Sequence, residues 1–204
     1  MPGFRPGGVA ALAQALAGGL EPSAIVLVEG SSDQAALHAL AERRGRDLAA
    51  EGISIVPMGG ATTIGHFLDL LGPHGLGIRL AGLCDVGEEG SFRRGLERAG
   101  LGSNLTRSDM ERIGFFVCVA DLEDELIRSL GADAVEEVVA RRGEPGSFRI
   151  LQNQPAQRGR QREAQLRRFL GTRSGRKIHY ARFLVEALDL SRVPPPLDGL
   201  LGHL

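Results

Sequence analysis

The chain holds 204 residues and 21.7 kDa, enough for one ordinary domain with an extension but not for two full domains. Its 43% hydrophobic and 24% charged residues exclude a wholly disordered chain, a collagen-like fibre and a coiled coil. A net charge of −1 conceals a sorting along the chain: residues 121–137 carry seven acids and one Arg, whereas residues 141–182 carry twelve bases and two acids.

The 29 Gly and 10 Pro, beside one Tyr, eight Phe and no Trp, point to many tight connections around an aliphatic core, and so to α/β layering rather than an aromatic-rich sandwich. No apolar run reaches the roughly 18 to 20 residues of a membrane helix. The weakly apolar stretch from Val9 to Ala17 makes a poor secretory core, so the chain reads as cytoplasmic and without membrane contact. Cys84 and Cys118 each end an apolar run, as free core thiols do, and no zinc motif is present.

Residues 1–22 read as a loose lead-in with a short Ala-rich helix over Val9 to Ala17. Ala24 to Val28 is a continuous apolar run closed by Glu29-Gly30, the pattern of a strand buried on both faces of a parallel sheet. Ser31 or Ser32 is placed to cap a helix that runs to about Arg44, with Ala36, Leu37 and Leu40 in its apolar stripe. The unit then repeats. Ile53 to Val56 is a strand, Met58-Gly59-Gly60 a tight turn, and Thr62 or Thr63 caps a helix through Leu71. Arg79 to Cys84 is a third strand, followed by an acidic loop and a helix over Phe92 to Ala99. Phe115 to Val119 is a fourth, running into an acidic helix from Leu122 to Leu130. Strands alternating with helices at this spacing predict right-handed crossovers and a Rossmann-like, mainly parallel four-stranded sheet with helices on both faces.

Beyond Asp133 the strand pattern stops. Helices are expected over Ala134 to Arg142, Gln161 to Leu170 and Lys177 to Leu188, followed by Pro194-Pro195-Pro196 as a semi-rigid terminus. The organisation is therefore a lead-in (1–22), an α/β domain (23–132) and a basic C-terminal helical extension (133–204) that carries Lys177.

In an open parallel sheet, ligands bind outside the carboxyl ends of the strands, and here those ends carry acids. Glu29 follows strand one, with Asp33 in the first turn of the next helix. Asp85, Glu88 and Glu89 follow strand three; Asp121, Glu123, Asp124 and Glu125 follow strand four. Carboxylates gathered without bases repel one another, and a hard divalent cation, Mg²⁺ or Mn²⁺, is the usual remedy. Two such ions about 4 Å apart stabilise the attacking and leaving oxygens of phosphodiester cleavage. Asp121 is equally well placed as a helix N-cap with Asp124 at N3.

Four signals in order, Val28-Glu29-Gly30-Ser31-Ser32-Asp33, Gly59-Gly60, Asp85 and Asp121-Leu122-Glu123-Asp124, resemble a TOPRIM domain of the type found in the overcoming-lysogenisation-defect (OLD) nucleases. The resemblance spans about Ala24 to Leu130, and the Lys177 region extends it. It implies Mg²⁺-dependent cutting or nicking of DNA, with Glu29, Asp33, Asp85 and Glu123 as metal ligands, Asp121 beside them, and Lys177 and Glu29 in catalytic roles near the scissile phosphate. One departure matters: the resemblance calls for Asp-x-Asp after strand three, and the chain reads Asp85-Val86-Gly87. A second ligand must then come from Glu88 or Glu89, or one of two ions is held loosely. No Gly-x-x-x-x-Gly-Lys-Ser/Thr loop is present, so the chain reads as a stand-alone version without the ATPase module, open to a separately encoded ATPase partner and to self-association.

Lys177 is the sole Lys beside 23 Arg, and a point-charge ammonium is not replaced by a guanidinium fork. Arg158, Arg160, Arg162, Arg167, Arg168, Arg173 and Arg176 around it suit phosphate contacts without base specificity, or else a solvated face that pairs with the acidic helix. Tyr180, three residues after Lys177, raises a tyrosine-nucleophile reading against ordinary packing; His66, His74 and His179 show no metal spacing. The leading expectation is a metal-dependent DNA endonuclease. Its rivals are a nucleic-acid-binding or regulatory subunit of a separate ATPase, and a small-molecule phosphotransfer or phosphohydrolase enzyme.

Overall fold

The computed structural model describes residues 22–172 and 175–204, so the expected helix over Val9 to Ala17 lies outside the described residues. Strand β1 (Ala24–Val28) is at most 2% exposed at every position, because it has a strand on each edge and helices on each face. With β2 (Ile53–Pro57), β3 (Leu80–Asp85) and β4 (Phe115–Cys118) it forms one parallel sheet in the order β2-β1-β3-β4. The predicted α/β class and four-stranded parallel sheet are thus present. At Gly82 a Cβ would stand 2.8 Å from the Phe115 ring and 2.9 Å from the Leu27 carbonyl oxygen, so the centre of β3 admits no side chain there.

Alternation along β1 divides the core into two layers. Val26 and Val28 face α1 (Ser31–Arg43), whereas Ile25 and Leu27 face α2 (Ile64–Leu71) and α3 (Glu89–Arg98). A short α4 (Arg107–Arg112) joins the second layer through Met110. Thr106 caps it, with Oγ1 accepting from Asp109 N at 3.2 Å while the Asp109 carboxylate accepts from Thr106 N at 2.8 Å. After β4 come α5 (Leu122–Leu130), α6 (Ala132–Arg141), α7 (Pro145–Gln152), α8 (Arg162–Leu170) and α9 (Arg176–Ala187). The extension does not stand apart: Leu166, Phe169, Tyr180, Leu184 and Val185 share the first apolar layer with Ala36, Leu37 and Leu40.

The structure corrects several local readings. The N-cap of α1 is Gly30 rather than Ser31 or Ser32, because the Asp33 carboxylate reaches back from N3 to accept from Gly30 N at 2.8 Å, while Ser31 is exposed and Ser32 is buried in the first turn. Thr63 does not cap α2 with its side chain; its hydroxyl donates to the Gly60 carbonyl at 2.6 Å and closes the preceding turn. Helix α3 begins at Glu89, ahead of the expected Phe92.

The Pro-rich terminus is a helix, α10 (Pro195–His203). Proline lacks an N–H that the first helical turn does not need, so a proline run starts a helix as readily as it makes a stiff spacer. What decides between them is the apolar face that follows: Leu197, Leu200 and Leu201 are at most 2% exposed, with α10 packed on β3 and β4. Arg46 Nη1 donates to the Leu201 carbonyl at 2.5 Å, and Arg79 donates to the His203 carbonyl, so both bind free carbonyls of the last turn. Leu200→Ala is therefore expected to destabilise the fold by about 2–5 kcal/mol, measured by urea or thermal unfolding. A loose terminal spacer would give no change.

Candidate active site

A parallel sheet brings the carboxyl ends of all four strands to one edge. From β1 the chain passes to β2 on one side and then returns to β3 on the other, so the gap between β1 and β3 is the topological switch point where a crevice opens. Glu29 follows β1 and Asp85 ends β3, and both line a cleft of about 740 Å³ together with Asp33, Glu88 and Lys177. Gly59 to Thr63, after β2, form another part of its wall.

Four acids against one base make this cleft strongly negative. Burial is the main cause that pushes Asp85 from its ordinary 3.8 up to about 7, and the charges of Asp33, Glu29 and Asp121 add to it. Asp33, 8% exposed, is raised to about 6, again chiefly by burial and against the Gly30 N–H and Lys177. Glu29 and Asp85 are half-buried, and their carboxylates make no hydrogen bond or ion pair with any described residue.

Across the cleft, α9 presents Lys177 at its second position. Its Nζ lies 3.0 Å from Oε2 of Glu123, in the first turn of α5. Burial works to lower the Lys177 pKa, but the Glu123 charge, with Asp33 and Asp121 behind it, outweighs that and holds the ammonium above its usual value. Burial raises Glu123, and Lys177 opposes it. The other oxygen of Glu123, Oε1, is buried without a partner.

The remaining predicted acids have other work. Asp121 is the N-cap of α5, accepting from Asp124 N at 2.8 Å, and its second oxygen accepts from Arg167 Nε at 2.7 Å. Glu89 is turned away to Arg107, whose Nη2 is at 2.5 Å, which leaves Glu88 as the acid of that pair in the cleft. Glu125, counted in the sequence among the acids that follow strand four, stands outside the cleft: it is 2% exposed, accepts from Val119 N at 2.6 Å and pairs with Arg128, so it holds the turn that carries Asp121 and Glu123.

The arginines divide sharply. Arg176 is buried: its guanidinium lies over the Phe169 ring at 4.1 Å, and Nη2 stands 2.6 Å from Glu144 Oε2 without the alignment of a hydrogen bond. Arg162 pairs with Asp133 and Glu136, and Arg158 donates to the Asn153 carbonyl. Arg173 lies outside the described residues. Arg160, Arg167 and Arg168 line a second groove of about 330 Å³ that meets the acidic cleft at Gly171 and Lys177. Tyr180 is 2% exposed between Phe169 and Phe183, a packing position with no access for a nucleophile.

The donors in the cleft are carboxylate oxygens, which suit Mg²⁺ or Mn²⁺ and not a soft metal. Among the described residues no three His, Cys, Asp or Glu side chains gather closely enough to hold an ion by themselves. Mg²⁺ keeps several waters and is held by one or two carboxylates together with substrate phosphate. The Glu29 and Asp85 carboxylates, unpartnered among the described residues, with Asp85 raised chiefly by burial, meet that requirement, and the residues fit the ion.

Without metal the acids make folding sensitive to pH. Because Asp85 is raised from 3.8 to about 7, the folded state retains a proton that the unfolded chain has released across that window. Stability must therefore fall as pH rises from about 4 to about 7. In EDTA, Asp85→Asn is expected to melt above the wild type at pH 8 and to decline less between pH 4 and 7. Mn²⁺ should raise the wild-type melting temperature at pH 8 and leave the variant unmoved. A lower melting temperature for the variant in EDTA would show that the fold does not disfavour an ionised Asp85.

Residues 23–86 match the family described as overcoming lysogenization defect protein-like, TOPRIM domain. The fold is similar to the C-terminal region of the Xanthomonas campestris pv. campestris OLD protein, at 25% identity, over 89% of this chain and 93% of that one, with a TM-score of 0.65. It is also similar to the C-terminal region of the Burkholderia pseudomallei OLD protein, at 20% identity, over 90% and 97% of the two chains, with a TM-score of 0.69. No curated protein matches the sequence. Among the described residues no helix is long and apolar enough to cross a membrane. Residues 23–86 thus match an OLD-like TOPRIM domain, and the chain as a whole shares the fold of OLD C-terminal regions.

Proposed function

We propose that this chain is a Mg²⁺- or Mn²⁺-dependent endonuclease that hydrolyses phosphodiester bonds of DNA. The observation that carries the reading is the pair of carboxylates, Glu29 and Asp85, unpartnered among the described residues, at the ends of the two strands that flank the switch point and in one cleft with the chain's sole lysine. TOPRIM domains generally bind divalent metals, which agrees with this site. Glu29 and Asp85 would hold the ion, with Asp33 and Glu88 at its side and Glu123 toward Lys177. Gly87 replaces the second Asp of the usual pattern, and Glu88, one residue on and turned into the cleft, stands in for it. The ion supplies charge neutralisation to a phosphate that carries more negative charge in the transition state.

The protein's own groups do the rest. Lys177 is held over the cleft by Glu123 and offers an ammonium with three rotatable donors to the phosphate. Gly30, Gly59 and Gly60 keep the floor of the cleft free of side chains, so a bulky diester can approach the carboxylates. Two buried, free thiols, Cys84 and Cys118, suit a reducing cytoplasmic setting. A separately encoded ATPase and a second copy of the chain are partners that this reading accommodates.

Supercoiled plasmid is expected to be nicked or cut with Mg²⁺ or Mn²⁺, not in EDTA, and not by Asp85→Asn. Lys177→Ala should lower turnover by on the order of 10² to 10³-fold while DNA affinity changes little, and Lys177→Arg should rescue little of it. Wild-type protein that binds DNA but does not turn it over would select the regulatory-subunit reading. Turnover confined to small phosphate esters would select the phosphohydrolase reading.

A further inference from the structure

The groove beside the cleft has the opposite charge. Four cations, Arg160, Arg167, Arg168 and Lys177, line it against two carboxylates, Asp121 and Glu123. Both acids are already matched, Asp121 by Arg167 at 2.6 Å and Glu123 by Lys177 at 3.0 Å. Arg160 and Arg168 are exposed and have no acidic partner among the described residues, so the groove keeps two unmatched positive charges.

Arg168 is placed by α8, and Arg160 by the segment that leads into it. Leu166, Phe169 and Leu170 fill the core, which turns Ala164, Arg167, Arg168 and Gly171 onto one outward strip. Small residues at 164 and 171 leave the floor open between the arginines and Lys177. Lys177 and Gly171 line both spaces, so groove and cleft are one continuous depression with the lysine at the junction.

We propose that this groove is a subsite for the backbone phosphates that flank the scissile one on a single side, with Arg160 and Arg168 as the residues that bind them. A lone phosphodiester placed at Lys177 would occupy the acidic cleft and leave the arginine pair unmatched. A polynucleotide places further phosphates along the strip and matches it. Among the described residues neither depression is lined by an aromatic ring or an amide side chain, so no platform for base stacking is present there, and the exposed guanidinium groups suit contacts to the sugar-phosphate backbone. This inference rests on the hydrolase reading and deepens it, since it places the flanking phosphates of the substrate on one side of the site.

The experiment compares supercoiled plasmid with bis(4-nitrophenyl) phosphate, a diester without neighbouring phosphates, for the wild type and for Arg160→Ala/Arg168→Ala. Plasmid kcat/KM relative to that of the small diester is expected to fall on the order of tenfold, mainly through KM. The log-log salt slope of duplex DNA binding in EDTA should shrink by about two units, one for each arginine. An equal fall for both substrates, no fall for either, or an unchanged salt slope overturns the subsite. Should wild-type protein cleave neither substrate, the hydrolase reading fails instead. The groove is then judged by binding alone, where an unchanged slope rejects it and a reduced slope retains it as a backbone-binding surface.

Discussion

Everything around the cleft answers one constraint: carboxylates collected at the ends of buried parallel strands need positive charge within a few ångströms. The strands leave no room for it. β1 is apolar and buried along its whole length, so both the acids and their counter-charges must lie beyond the strand ends, on loops or on helices that return from elsewhere. Helix α9 is such a helix. It packs along α1 through Tyr180, Ala181, Leu184 and Val185, and Arg43 of α1 donates to the Val185 and Leu188 carbonyls at 2.7 and 2.6 Å, which anchors its far end. The near end, carrying Lys177, is thereby held over the cleft.

The same constraint separates acids that build the fold from acids that await a ligand. Asp121, Asp124, Glu125 and Glu89 each have an arginine within 2.7 Å, and Asp121 and Glu125 also accept backbone N–H groups. Such carboxylates need no ion. Exposed pairs of this kind add little stability individually, but those on α5 are arranged so that Glu123 meets Lys177. Among the described residues the Glu29 and Asp85 carboxylates meet no cation, and burial makes Asp85 retain a proton until about pH 7. A proton or a metal ion has to supply what the chain does not.

Much of this was legible in the sequence, and what was missed has identifiable causes. Apolar runs marked all four strands because buried parallel strands are continuous in hydrophobicity, and the acids that follow them marked the cleft edge. Caps were less legible. Ser31 and Ser32 have the right chemistry for an N-cap, but Gly30 takes the extended conformation and Asp33 satisfies its N–H. Pro194 to Pro196 read as a spacer because a proline run is compatible with two conformations, and only the burial of Leu197, Leu200 and Leu201 selects the helix. The arginine cluster could not be sorted by composition, since partners such as Glu136 for Arg162 and Glu144 for Arg176 are distant in the chain and come close only through helix packing.

Arg176 and Lys177 show why neighbouring bases of equal charge are not interchangeable. Successive helical residues point about 100° apart, so one of the two turns inward and the other toward the cleft. The inward position suits a guanidinium: planar and weakly hydrated, it stacks on Phe169, donates to Thr172 and reaches Glu144 at once. A lysine there would bury a strongly hydrated ammonium with nothing to stack on. The cleft position has the opposite requirement. Between Glu123 on one side and the space over Glu29 and Asp85 on the other, the group must hold a carboxylate when the site is empty and turn to a phosphate when it is filled, without moving α9. A compact ammonium on a flexible stem does both, because its three donors rotate freely. A rigid fork matched to Glu123 would remain bound there. In a chain that uses arginine for every other base, this geometry gives a physical reason for the single exception.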